Sequence, residues 1–239
     1  MKNFYCLMMS VVFVVVLVAS PVRADDPFID LISSTKIYFS HVAVGGPDGW
    51  NTEIAVLNPN DSATSGVLTP YDSKEGQVSQ AVSIDLPAHG RYQADVRTAF
   101  SAAENIAYVI FTSESFGLKG YSKFYTSTVR ASIIASSPKT SGMFTKIDHQ
   151  GWTGIAFINT ATVSANITLT AYSDAGVAVA VEHLPAVGPG EKIVDTAERL
   201  FTQSVANASY ISYSSDQGVV GFFLNGSNGN TLLDGSQAL

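Results

Sequence analysis

From Lys36 onward the chain alternates between short runs rich in Val, Ile, Tyr, Phe and Thr and clusters of turn residues. Short alternating runs at regular spacing predict the strands of an all-β sandwich or barrel. Strands are predicted at 36–44, 50–58, 64–71, 77–86, 90–96, 105–113, 116–125 and 129–135. A second series follows at 142–148, 152–159, 165–173, 176–184, 190–196, 206–214, 217–225 and 230–237. Gly45-Gly46-Pro47-Asp48-Gly49, Asn58-Pro59-Asn60-Asp61 and Pro87-Ala88-His89-Gly90 supply the reversals, through fixed or positive φ. Arg97 to Glu104 departs from the alternation, as does Thr196 to Gln203. Each predicts a short helical turn, with Phe100 pinned to the core.

The two series are copies. Gly49 to Asn58 (GWNTEIAVLN) returns at Gly151 to Asn159 as GWTGIAFIN. Tyr71 then matches Tyr172, Leu86-Pro87-Ala88 matches Leu184-Pro185-Ala186, Asp95 matches Asp195, Phe100 matches Phe201, and Gly117 and Gly120 match Gly218 and Gly221. The shared residues are turn glycines and apolar strand positions, which is what a common fold requires. The expected architecture is two tandem homologous β-sandwich domains, Ig-like or jelly-roll-like, each with a short helical turn. Their bounds are 25–135 and 142–239, joined by a polar linker at 136–141. Trp50 stands one residue farther from Ile54 than Trp152 does from Ile155. The extra residue predicts a β-bulge near Asn51 to Glu53.

The succession of Tyr38 to His41, Gly49 to Asn58, Leu86 to Arg91 (LPAHGR) and Gly120 to Tyr125 (GYSKFY) resembles secreted bacterial tandem-repeat proteins. Those proteins are built from Gly-Trp repeat domains of largely uncharacterised function. The resemblance covers nearly all of the chain after its first residues, and it implies a β-sandwich fold and an extracellular setting. The second copy lacks the counterparts of His89, Arg91 and Lys123, so a function tied to them belongs to the first copy alone.

The first residues carry a different pattern. Lys2, the apolar run Leu7 to Val18 and the small residues of Val22-Arg23-Ala24 predict a cleaved secretory signal peptide at 1–24. The expected location is therefore secreted, periplasmic or at the cell surface, with no membrane span in the mature protein. Cys6, the single cysteine, lies in that leader, so no disulfide or thiol chemistry is expected afterwards. The chain has a formal net charge of −7. Such a balance argues against nucleic acid as a partner, because nucleic-acid binding needs a basic footprint.

Candidate chemistry is sparse. No histidine pair has ligand spacing, and no Gly-x-Ser-x-Gly elbow occurs. Asp48, Glu53 and Asp72 in or near acidic turns are the weak candidates for a calcium site. No other cofactor is expected. Trp50, His89, Arg91 and Tyr92 are the candidate ligand-binding residues, since amphipathic rings beside a cation suit a sugar or a half-wet protein interface. Asp95 is expected to cap the helical turn. The expected function is a non-enzymatic module for adhesion, surface structure or binding of an extracellular protein or glycan. The alternative is an extracellular hydrolase acting on polysaccharide or peptide, which would bring two carboxylates together across a cleft.

Overall fold

The computed structural model describes residues 35–229 and 231–239; the predicted signal peptide lies outside them. The fold is all-β, with sheets packed as sandwiches. The strands are β1 (Lys36–Phe39), β2 (Asn51–Leu57), β3 (Thr64–Tyr71), β4 (Val82–Leu86), β5 (Arg91–Asp95), β6 (Tyr108–Ser113), β7 (Lys119–Tyr125) and β8 (Arg130–Ile134). They continue as β9 (Lys139–Phe144), β10 (Gly151–Asn159), β11 (Ile167–Tyr172), β12 (Ala178–His183), β13 (Lys192–Thr196), β14 (Tyr210–Ser227) and β15 (Leu233–Gln237). Two short helices, α1 (Val96–Ala99) and α2 (Ala197–Leu200), stand where the helical turns are predicted.

In the first half, one sheet runs β1-β6-β3-β4 and the other β5-β2-β7-β8. Inward residues of both sheets, among them Phe39, Ile54, Val56, Leu68, Val109 and Phe111, form a buried cluster. In the second half the strands form one seven-stranded sheet, because β14 is continuous. Its first part pairs with β9 and β11, and its second with β10 and β15. The order of pairing is the same in both halves, with β14 in place of β6 and β7. The two halves differ at this turn, where Ser113 to Lys119 is one residue longer than the matching Ser215 to Val220. Gly117, at φ +78°, breaks the chain between β6 and β7, whereas the corresponding Gly218 stays out of the left-handed region. The predicted strands 206–214 and 217–225 therefore merge into β14.

Three further expectations are corrected. The predicted linker 136–141 is not free chain: Lys139 opens β9, and Ser136 exchanges backbone hydrogen bonds with Tyr38 at 3.0 and 3.2 Å. The β-bulge near Asn51 is absent, since β2 keeps regular register with both β5 and β7. Register instead places Trp152 where the first half has Asn51: Asn51 lies opposite Tyr125, and Trp152 opposite Gly226. The two tryptophans are thus not equivalent. The Leu-Pro-Ala match is also shifted. Leu86 pairs with Thr64 and Val187 with Ala165, so Val187, not Leu184, is the partner of Leu86 in the repeat.

A side chain that does repeat is the asparagine ending β2 and β10. Asn58 Nδ2 donates to Ser62 O at 2.8 Å and its Oδ1 accepts from Asn60 N at 3.1 Å. Asn159 Nδ2 donates to Val163 O at 2.7 Å and its Oδ1 accepts from Ala161 N at 2.9 Å. Both are buried, so each satisfies loop backbone groups that would otherwise be stranded from water. The stacked pairs Tyr71–Tyr108 and Tyr172–Tyr210 also repeat, with centroids 5.3 and 5.1 Å apart.

The halves pack through unlike faces. The outer side of β1 and β6 (Tyr38, Tyr108) meets Ile158 and Val220 of β10 and β14. Phe124, Ala131 and Ile133 meet Ala156, Phe222 and Leu224 nearby. Lys192 is buried at this junction. Its Nζ donates to Ala107 O at 2.8 Å, lies 3.0 Å from His41 Nδ1, and sits 5.4 Å over the Phe222 ring. Tyr108 donates its hydroxyl proton to Gly190 O at 2.7 Å, closing the contact from the other side.

Candidate binding face

The outward residues of the sheet β5-β2-β7-β8 follow from the pleat. Alternate residues point to opposite sides, and Thr52, Ile54 and Val56 point inward. Asn51, Glu53, Ala55 and Leu57 therefore point outward. Directly paired residues share a face, which adds Arg91, Gln93 and Asp95 from β5, Lys119, Tyr121, Lys123 and Tyr125 from β7, and Arg130 from β8.

These side chains form connected polar rows. Glu53 lies opposite both Asp95 and Lys123, and its carboxylate is 2.9 Å from Lys123 Nζ. The Tyr121 hydroxyl donates to Glu53 at 3.3 Å, and Arg91 bonds the same hydroxyl while its guanidinium carbon stands 5.6 Å over the Tyr121 ring. Asn51 Nδ2 donates to Asp95 and to the Tyr125 hydroxyl, which itself donates to Asp95 at 3.0 Å. Lys123 Nζ stands 5.3 Å over the Tyr125 ring, a cation–π arrangement. The hydroxyls are thus anchored toward β2 and β5, which holds both rings across the sheet rather than upright.

The charges respond to this setting. Burial pushes the Glu53 carboxyl up, but the Lys123 hydrogen bond and charge, with help from Gln93 and Tyr121, outweigh it and hold the group below the usual carboxylate range. Burial and then the Asp95 carboxylate push the Tyr125 phenol up. At neutral pH Glu53 is ionised and Tyr125 is a hydrogen-bonding phenol. Beside them, a cleft of about 360 Å³ is lined by Lys123, Tyr125, Arg130 and the turn Thr126 to Val129.

Of the residues expected to bind ligand, Arg91 alone belongs to this face. Tyr92 packs against the first core. His89 sits in its turn at φ 55°, exposed, with Nε2 3.1 Å from Asp61 Oδ1. Trp50 bridges Gly45 and packs beside the junction between the halves. The calcium candidates are not brought together either. Asp48 is exposed, Glu53 is tied to Lys123, and Asp72 accepts from Lys74 N at 2.7 Å and Gly76 N at 2.8 Å. Among the described residues no group of three His, Cys, Asp or Glu is placed to hold a metal ion. Tyr121 and Tyr125 were legible as alternate residues of GYSKFY, but the sequence does not tell which face of a strand stays open.

Asp95 caps α1, accepting from Arg97 N at 2.9 Å. Its sequence match Asp195 is displaced by one position: Thr196 is the cap residue of α2 and makes no side-chain capping bond.

No family model matches the chain, and no curated protein matches it. Among solved structures, allantoicase from Saccharomyces cerevisiae is similar at 8% sequence identity over 79% of this chain and 72% of that chain. Its TM-score of 0.20 is too low for the likeness to bear on fold or activity.

Proposed function

We propose that the chain is a secreted or periplasmic non-enzymatic binding module, built as two tandem copies of one β-sandwich, that meets an extracellular glycan or protein through the outer face of β5-β2-β7-β8. The observation that carries this is a contrast between matching faces. In the second half the matching positions are Trp152, Ala156, Phe222 and Leu224, and they are packed against the first half. In the first half they are Asn51, Ala55, Tyr121 and Lys123, of which Asn51, Tyr121 and Lys123 belong to a hydrogen-bonded network with tyrosine rings partly open to solvent. Recurrent strand pairing and the matched Asn58 and Asn159 support the tandem organisation. The leader-like first residues support secretion. No helix among the described residues is long and apolar enough to cross a membrane.

The test is a screen of glycans and cell-wall polymers with the wild-type protein and the Tyr121→Ala variant. Retention that the variant loses, at unchanged melting temperature, is the expected result. Ligands retained equally by both proteins would place the contact elsewhere.

A hydrolase is the second reading, favoured by one observation: Glu53 and Asp95 are directly paired on an open face. A glycosidase needs one carboxyl protonated near neutral pH to act as acid. The depressed Glu53 pKa opposes that role for it. Release of reducing ends from any retained polymer, lost in Glu53→Gln and Asp95→Asn, would decide for the enzyme.

A further inference from the structure

The chain is acidic overall, at −7, yet its open sheet face is not. Arg91, Lys119, Lys123 and Arg130 stand there against Glu53 and Asp95. Both carboxylates are engaged, Glu53 by Lys123 and Tyr121, and Asp95 by Asn51, Tyr125 and the α1 backbone; Lys123 and Arg91 are engaged in turn, by Glu53 and Tyr121. Arg130, exposed at the rim of the cleft, makes no ion pair among the described residues. A local cationic patch on an acidic body draws an anion to one place and repels it elsewhere.

The geometry adds a direction. Tyr121 and Tyr125 lie four residues apart on one strand, which sets them about 13 Å apart along β7. Two rings laid across one sheet face at that spacing suit an extended chain of sugar rings more than a compact ligand. The cleft beyond Tyr125 offers Lys123 and Arg130, and the hydroxyls of Thr126, Ser127 and Thr128 line it as well. A guanidinium pairs with a planar carboxylate or a sulfate through parallel hydrogen bonds.

We infer that this face binds an anionic polysaccharide, one sugar ring resting against Tyr125 and its carboxylate or sulfate paired with Arg130 at the cleft that Lys123 also lines. This rests on the binding role proposed above, and it narrows the ligand to one chemical class. The second half offers no equivalent, because Lys123 and Tyr125 are replaced in register by Leu224 and Gly226.

Binding is measured by titration calorimetry and affinity electrophoresis with polygalacturonate, chondroitin sulfate, neutral dextran and polyglutamate. The proteins are wild type, Arg130→Gln, Tyr125→Ala, Tyr121→Ala and Lys146→Gln, each checked by thermal melting. The last removes an exposed cation of the second half. Expected is binding to polygalacturonate or chondroitin sulfate, weaker with added salt, and weakened about tenfold by either Arg130→Gln or Tyr125→Ala. Lys146→Gln leaves it unchanged. Preference between the two polymers identifies the anionic group. Equal loss in Lys146→Gln and Arg130→Gln would overturn the inference, since charge alone would then be acting. So would equal binding of polyglutamate insensitive to Tyr125→Ala, which would mark an acidic protein as the partner. Retention of dextran, unaffected by Arg130→Gln but lost in Tyr121→Ala, would sink the anionic ligand and leave the binding module standing. No retention of any glycan refutes the inference.

Discussion

Two faces with the same backbone carry opposite chemistry. On the outer side of β5-β2-β7-β8, register sets Asn51 against Tyr125, Glu53 against Lys123 and Ala55 against Tyr121. On the matching side of the second half, Trp152 faces Gly226, Gly154 faces Leu224 and Ala156 faces Phe222. The Trp152 indole occupies the space above Gly226, where a Cβ would lie 2.2 Å from the ring, so the second face is closed by an aromatic where the first presents a phenol. Inward residues preserve the fold, and outward ones decide whether a face meets the other half or solvent. The junction is also head-to-tail: the β1/β6 face of one half meets the β10/β14 face of the other. Such an interface is heterologous, pairing unlike surfaces, not a face with itself.

The sharpest way to break the comparison is to truncate the same position in both halves. Phe222 is 2% exposed and packs at the junction. Phe222→Ala is expected to lower stability by about 3–5 kcal/mol, the usual cost of emptying a buried phenylalanine site. Tyr121→Ala, on the open face, should cost about 1 kcal/mol or less. Urea unfolding of both variants checks this. Equal losses would mean that the first face is buried against something and is no binding surface.

How far this was legible from sequence depends on the direction in which a side chain points. Strand positions and turns followed from alternation and breakers, and the helical turns from the missing β-branched run. Asn58, Phe100 and Tyr71 matched their counterparts because their roles are internal to one half. The errors arose where pairing, not residue type, fixes equivalence. Gly-Trp drew the two tryptophans together although register separates them, and Leu-Pro-Ala aligned with a turn that lies three positions early. The open face was not legible at all. Which face is covered depends on how the halves dock, and no local pattern encodes that.

Lys192 sharpens the same contrast through pH. Burial lowers its pKa to about 7. Its surroundings are the Ala107 carbonyl, His41 and the Phe222 ring. His41 is also pushed well below its usual range, by burial first and then by Lys192. By surface area His41 keeps a partly accessible edge, but its ring packs between Phe124 and Phe222 with centroids 5.1 and 5.3 Å away, which accounts for the desolvation. For a base with a depressed folded pKa, the unfolded chain binds the proton that the folded chain refuses. Stability therefore rises with pH from about 7 toward the ordinary lysine range, by up to about 1.4 kcal/mol per unit. Urea midpoints at pH 7 and pH 9 should differ accordingly, and Lys192→Met should flatten the difference. An unchanged slope in Lys192→Met would show that the junction lysine is not the group that titrates.

The repeated asparagines should behave alike where the faces do not. Asn58→Ala and Asn159→Ala each strand loop backbone groups, at about 1–3 kcal/mol apiece, again measured by urea unfolding. A large loss at one site with none at the other would show that the two loops do not share a structural role.

The smallest expected effect tests the displaced cap. Asp95 accepts from Arg97 N and, on its other oxygen, from Tyr125 and Asn51, so it serves α1 and the open face together. Thr196 makes no side-chain capping bond for α2. Removing a capping side chain costs about 1 kcal/mol, so Asp95→Ala should lower the melting temperature while Thr196→Ala leaves it nearly unchanged. Asp95→Asn separates the two duties of the first residue, because an amide oxygen still caps α1 but no longer carries the charge that raises the Tyr125 phenol. With Asp95→Asn the cap is kept, but the amide nitrogen replaces the oxygen to which Asn51 Nδ2 donates, so stability should fall by less than in Asp95→Ala while the Tyr125 phenol titrates at lower pH, read by ultraviolet difference absorbance. A drop in stability as large as that of Asp95→Ala would instead tie the contribution of Asp95 to its contacts on the sheet face, not to the helix it begins.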